Sequence, residues 1–268
     1  MTARTEPPRL APGARVVERG RDRVQAGLTL GREVAVDRDS ADAAVLDRLR
    51  LGKGLTAAQR ARPVVAALER AALLVRPSVP PDGKVLVHGR FGTDDAVARA
   101  LDAAGLRPVS VRRADDAPGL LLACGEPERE QLDPWLRERR PHLVVRLVDG
   151  VIVLGPFVEP GRTACLRCLD AHRHDADPEH IPVLHRYIHE PRADGHPDEP
   201  PGAAAALALA WAARDLSGWH AGGRPATLST TVTLDPGGLT AATWLRHPEC
   251  VCGWGLPGSV PGHGTLDP

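Results

Sequence analysis

Five cysteines occur in the 268-residue chain, and four of them fall in two close pairs, Cys165-Leu-Arg-Cys168 and Cys250-Val-Cys252. Paired thiolates are soft ligands, and zinc in a structural role prefers a closed tetrahedron of four. A complete sulfur shell leaves no open position for water. The spacing therefore predicts one structural Zn2+ that pins the end of the chain to the start of a helix near Cys168 and does no chemistry of its own. The competing reading is four buried, unliganded cysteines. It is weaker, because two pairs so close together rarely arise from packing alone. Cys124 closes a buried-strand pattern and reads as a core residue.

Six of the eleven histidines, at positions 172, 174, 180, 185, 189 and 196, lie between Asp170 and Pro201 among many acidic residues. A second metal site competes here with a flexible crossover loop. Pro182, Pro191, Pro197, Pro200 and Pro201 favour the loop, as does a histidine spacing that sets no ligand geometry. His172 and His174 are close enough to Cys168 to support the zinc site from behind its ligands. No nucleophile elbow, Gly-Lys-Ser phosphate loop or two-histidine protease motif is present.

These residues must be carried by a scaffold, and composition bounds it. The chain is 43% hydrophobic and 25% charged, with formal net charge 0 and pI near 7.2. That is enough apolar matter for one large or two small cores, with no global field towards nucleic acid or an anionic membrane. The opening Met-Thr-Ala-Arg-Thr-Glu-Pro-Pro has no apolar h-region, and the most apolar run, Ala203 to Ala213, is shorter than the roughly 20 residues of a membrane span. A cytoplasmic protein is expected, and in a reducing compartment paired cysteines point to metal rather than to disulfides.

The first part of the chain reads as three strands, Val16–Glu18, Val24–Leu30 and Glu33–Asp37, then three short helices. Ser40 caps the first, Thr56 with Gln59 forms a capping box for the second, and Pro63 opens the third. That order suggests a small winged-helix-like domain over residues 1–78, closed by the turn-rich segment Val75-Arg-Pro-Ser-Val-Pro-Pro-Asp-Gly83. Over residues 79–268, strands near Lys84, Pro108, Gly119 and His142 alternate with helices at 94–104 and 128–139. This predicts an α/β domain with a parallel sheet. An Ala-rich helix with Trp211 and Trp219 and a hairpin about Asp235-Pro-Gly-Gly238 follow. The two tryptophans belong to the core or to an interface with a twin subunit or partner enzyme.

The run from Gly155 through Cys165-Leu-Arg-Cys168 to Arg173, with His247-Pro-Glu-Cys-Val-Cys252, resembles ThiF-like proteins of thiazole/oxazole-modified peptide biosynthesis, in the ubiquitin-activating-enzyme superfamily. The resemblance covers most of the chain. It implies a Rossmann-like ThiF-type domain with a zinc site, preceded by a precursor-recognition element. It also implies that the small domain binds a precursor's leader peptide, while a separate YcaO-type cyclodehydratase modifies Cys, Ser or Thr at the expense of ATP. The nucleotide motif is degenerate here. In Gly89-Arg-Phe-Gly-Thr-Asp94, Phe91 and Asp94 stand where glycines would let phosphates approach a helix N-terminus, and Val111-Arg112-Arg113 lacks the acidic residue that would hold a ribose. No nucleotide is expected. An ATP-dependent adenylating enzyme and a zinc-stabilised scaffold unrelated to modified peptides are the alternatives.

Leader capture by such a domain would proceed by strand addition to a sheet edge. The edge is expected at Glu33, Val34, Ala35, Val36 and Asp37. By resemblance, the facing wall is the third helix, with Val65, Glu69 and Ala72. The competing assignment puts Val34 and Val36 in the core and leaves Glu69 a solvated charge.

Overall fold

The computed structural model of the chain describes residues 8–75, 83–110, 116–190 and 198–253. It divides into two compact units, Met1–Val79 and Pro80–Pro268.

In the first unit, β1 (Arg9–Leu10) is followed by β2 (Val16–Arg19), β3 (Arg23–Ala26) and β4 (Val34–Asp37), which form an antiparallel sheet in that order. The helices are α1 (Ala41–Arg50), α2 (Ala57–Arg60) and α3 (Pro63–Arg70), and β5 (Leu74–Val75) returns to pair with β1. The caps form as their residues dictate: the Ser40 hydroxyl accepts from the Ala43 N–H, and Thr56 and Gln59 cap each other's backbone. Leu46, Leu49, Val64, Val65 and Leu68 build the core, with Val34 and Val36 packed against it. The strand expected at Val24–Leu30 stops at Ala26. Gly27 adopts φ +81°, where a Cβ would lie 2.8 Å from the Leu73 side chain, and Leu28 and Leu30 are exposed.

The second unit begins with β6 (Gly83–Gly89), α4 (Asp94–Ala103), β7 (Leu106–Val109) and β8 (Gly119–Cys124). There follow α5 (Asp133–Arg137), β9 (His142–Val148), β10 (Val151–Val158), α6 (Leu166–Ala176), α7 (His180–His189), α8 (Gly202–His220), β11 (Thr230–Asp235) and β12 (Gly238–Thr243). One seven-stranded sheet runs β12-β11-β10-β9-β8-β6-β7. Its β7, β6, β8 and β9 are mutually parallel, and β10 to β12 continue it antiparallel. Leu120, Leu122, Leu143 and Val145 share one core with Leu209 and Leu216 of α8, whereas the alternate residues Leu121 and Val144 pack with Trp135, Leu166 and Leu169. Period-two alternation thus buries both faces of the parallel half, while the sheet as a whole is mixed rather than the parallel one expected.

Three expectations are corrected. The single helix expected at 128–139 is a 3-10 turn, Arg129–Leu132, followed by α5, because Pro134 fits only a helix start. The expected loop after Asp170 is largely helical: α6 continues to Ala176, and Pro182 lies in the first turn of α7, where its missing N–H is not needed. Pro191, His196 and Pro197 lie outside the described residues, as do Val111 to Arg113. Cys124 is exposed rather than buried, because it ends β8 at the rim of a cleft. No helix among the described residues is long and apolar enough to cross a membrane.

Candidate functional site

Beyond β10, Ala164 N–H donates to the Ser229 hydroxyl at 2.9 Å, which sets Cys165 at the N-cap of α6 and Cys168 in its first turn. Cys250 and Cys252 arrive from the other side, in and beside the 3-10 turn Val251–Gly253. The Sγ atoms of Cys165 lie 3.8 Å from Cys168 and 3.7 Å from Cys250, and those of Cys168 and Cys252 are 3.6 Å apart. A tetrahedron with zinc–sulfur bonds of about 2.3 Å has edges of about 3.8 Å. These three separations match the edges of such a shell, and all four sulfurs lie within 4.8 Å of one another. Their surroundings, Leu166, Leu169, Val158 and Trp135, are apolar. Among metal-free thiols, Cys165 is pushed up by donating to Cys168, and Cys252 is drawn down to about 7, chiefly by Cys165. Four thiolates in such a place need a cation to offset their charge.

A brace of three side chains stands behind this cluster. His247, 5% exposed, accepts the Glu249 N–H at Nδ1, 3.3 Å away, so its proton sits on Nε2 and is donated to Asp175 Oδ2 at 2.9 Å. His172 donates from Nε2 to the Leu245 carbonyl at 3.0 Å, and its ring meets that of His247 edge-on. Cys250 N–H in turn donates to the His247 carbonyl. His172, Asp175 and His247 have the proximity of a metal triad, and in this geometry both histidines hydrogen-bond through Nε2. Their role is to hold the 245–250 segment against α6. His174 is exposed.

A buried ionic network ties the same helix to the sheet. Arg129 grips Asp170 of α6 through Nε and Nη at 2.7 and 2.9 Å and donates to Glu126 at 2.9 Å, while Arg146 of β9 donates to the other Glu126 oxygen at 2.8 Å. Burial raises the Glu126 pKa, but Arg146 and Arg129 outweigh it and hold the carboxyl below its ordinary value. Arg146 interrupts the apolar strand His142-Leu-Val-Val-Arg-Leu-Val148, the one sequence signal of this network.

Glu126 also lies at the mouth of a cleft of about 1140 Å³ at the C-terminal ends of β6 and β8. The strand order reverses about β6 here, which is where open α/β sheets bind ligands. Gly89, φ +85°, passes so close to the Leu122 carbonyl that a Cβ would be 2.0 Å from it. Phe91, 1% exposed, fills the core beside the cleft, Thr93 caps α4 itself, and Asp94 opens that helix. Glu128, Asp198 and Glu199 add further acidic lining. The cleft is shaped for a ligand, and Asp94, Glu128, Asp198 and Glu199 give its lining an acidic balance against Arg90.

In the first unit the hydrogen-bond phase of the sheet decides what β4 can offer. Arg38 N–H donates to the Asp22 carbonyl, so in a register that pairs Arg23 with Asp37 the even-numbered residues of β4 face β3. The backbone groups of Ala35 therefore point outward, along an edge that no other strand covers among the described residues. Helix α3 packs against β4, and Arg32 ties the two together by donating to the Ala71 and Ala72 carbonyls at 3.0 and 3.4 Å. Glu69 is exposed on α3, Val65 is buried in the core, and Ala72, expected on that helix, is exposed past its end at Arg70 with φ +53°. Glu33 Oε2 is buried there with no hydrogen-bond partner. The sequence reading did not anticipate Arg32, whose carbonyl partners lie 39 and 40 positions away.

The fold is similar to that of the heterocyclase TruD, with TM-score 0.61 at 19% identity over 91% of this chain and 42% of that one. A heterocyclase in complex with substrate and cofactor gives 0.59 at 17%, over 89% of this chain and 38% of that one. MccB from E. coli, a microcin C7 biosynthetic enzyme solved in complex with N-formylated MccA, gives 0.53 at 12%, over 92% and 99%. This chain thus spans about two-fifths of the heterocyclases and nearly all of MccB. No protein-family model and no curated protein matches the sequence. At these identities the likeness defines the fold, an α/β scaffold shared by heterocyclases and a microcin biosynthetic enzyme.

Proposed function

We propose that this chain binds the leader of a ribosomally made precursor peptide and delivers it to a separate YcaO-type cyclodehydratase that forms azolines. The observation that carries the proposal is the outward-facing Ala35 backbone on β4, walled by α3. Residues 1–78 act as a winged-helix-like recognition element. An extended leader adds to Glu33, Val34, Ala35, Val36 and Asp37 as a further strand, with Glu69 and Ala72 as side contacts and Val65 behind them. Residues 79–268 are a degenerate ThiF-type domain that docks the partner enzyme. Tethering then raises the effective concentration of the core peptide at the partner's active site, with no chemistry on this chain.

Cys165, Cys168, Cys250 and Cys252 hold one Zn2+ in this reading, and its contribution is to cross-link α6 to the 250–252 turn. Fold likeness to a heterocyclase solved with substrate and to MccB solved with MccA supports peptide handling. The test is Ala35→Pro, which removes the outward N–H. In a fluorescence titration with a labelled leader, affinity should fall about tenfold, with zinc content unchanged. Equal affinity would reject strand addition at β4.

A further inference from the structure

The outward carbonyl of Ala35 already has a partner. Arg23 stands on β3 opposite Asp37, so the two side chains share a face of the sheet. The Arg23 side chain passes over β4, where Nη2 donates to Ala35 O at 3.1 Å and Nε lies 3.7 Å from Asp37 Oδ1. The guanidinium thus occupies the acceptor that an added strand must use. The Asp37 carbonyl is engaged as well, taking the N–H and hydroxyl of Ser40.

We infer that Arg23 is a specificity-determining guard of this edge, an inference that rests on reading β4 as the peptide site. Unprotected edges pair indiscriminately with extended chains, including second copies of themselves. With Arg23 in place, an incoming strand can accept the Ala35 N–H but completes the pair at Ala35 only when its own N–H displaces the guanidinium from the carbonyl. A generic extended segment lacks the means. A leader that also fills the wall along α3 gains contacts that outweigh the exchange. The displaced side chain keeps Asp37 within reach, and that carboxylate is 83% exposed, so no charge is stranded.

The guard is tested in the full chain with Arg23→Ala and Arg23→Lys. The Arg23 side chain is 49% exposed, so neither substitution opens the core. The probe is an end-blocked, labelled peptide copying residues 32–38, a generic β4-type strand without designed contacts to α3. Arg23→Ala should bind it about three- to tenfold more tightly than the unaltered chain, with Arg23→Lys between. Arg23→Ala should also gain a concentration-dependent association in sedimentation equilibrium, which Ala35→Pro added to it abolishes. If Arg23→Ala matches the unaltered chain in both measurements, the guard is overturned. Tighter probe binding by Arg23→Ala upholds the guard even where a labelled precursor leader binds neither protein, a result that removes the leader reading alone.

Discussion

Cys168 belongs to α6 and Cys252 to the last described turn, so one sulfur–sulfur contact joins segments far apart in the chain that also share one hydrophobic cluster. Replacing Cys168 by Ser should lose one equivalent of zinc and lower the thermal midpoint by about 10 °C or more, as metal analysis and calorimetry would read. An unaltered midpoint with zinc absent would mean that the cluster is ordinary packing. At this scale the clustering of the four cysteines was legible in the sequence because metal chemistry needs soft donors in close pairs. The brace was not. His172 and Asp175 lie 73 and 72 positions from the groups they hold, and no local pattern links residues so far apart.

Elements carry these residues, and α6 is the one both sites share. It starts at the sulfurs, carries Asp170 into the Arg129 grip and reaches back through Asp175 to His247. Breaking the grip should be costly, because both partners are buried. Arg129→Met strands Asp170 in the interior and leaves Glu126 with one guanidinium, for an expected loss of about 3–5 kcal/mol by urea denaturation. Adding Asp170→Leu should restore part of it, since both charges are then gone. A loss below 1 kcal/mol in the single variant would show that water reaches the network. Strands with period-two alternation and helices with cap residues were readable in advance. The failures share a cause: the ends of β3, the break before α5 and the helicity of α7 depend on tertiary contacts or on proline position, which override local propensity.

For the whole molecule, the discriminating question is whether the cleft beside β6 handles nucleotide. Asp94 at the start of α4, and two arginines already engaged by Glu126, argue against a bound triphosphate. The purified chain should show no ATP-dependent pyrophosphate exchange and no saturable ATP binding up to about 1 mM, a limit of roughly −4 kcal/mol. Exchange above background would move the protein to the adenylating class. One strand bears on how such a domain comes apart. All six residues of β12 are exposed, so it rests on the β11 ladder alone until the chain meets the interior again at Trp244 and Cys250. Fraying is cheapest where a segment has no interior of its own. The sulfur cluster is thus a second mooring beyond the His172 and His247 contacts, and it checks unzipping before that reaches the layer beneath α6.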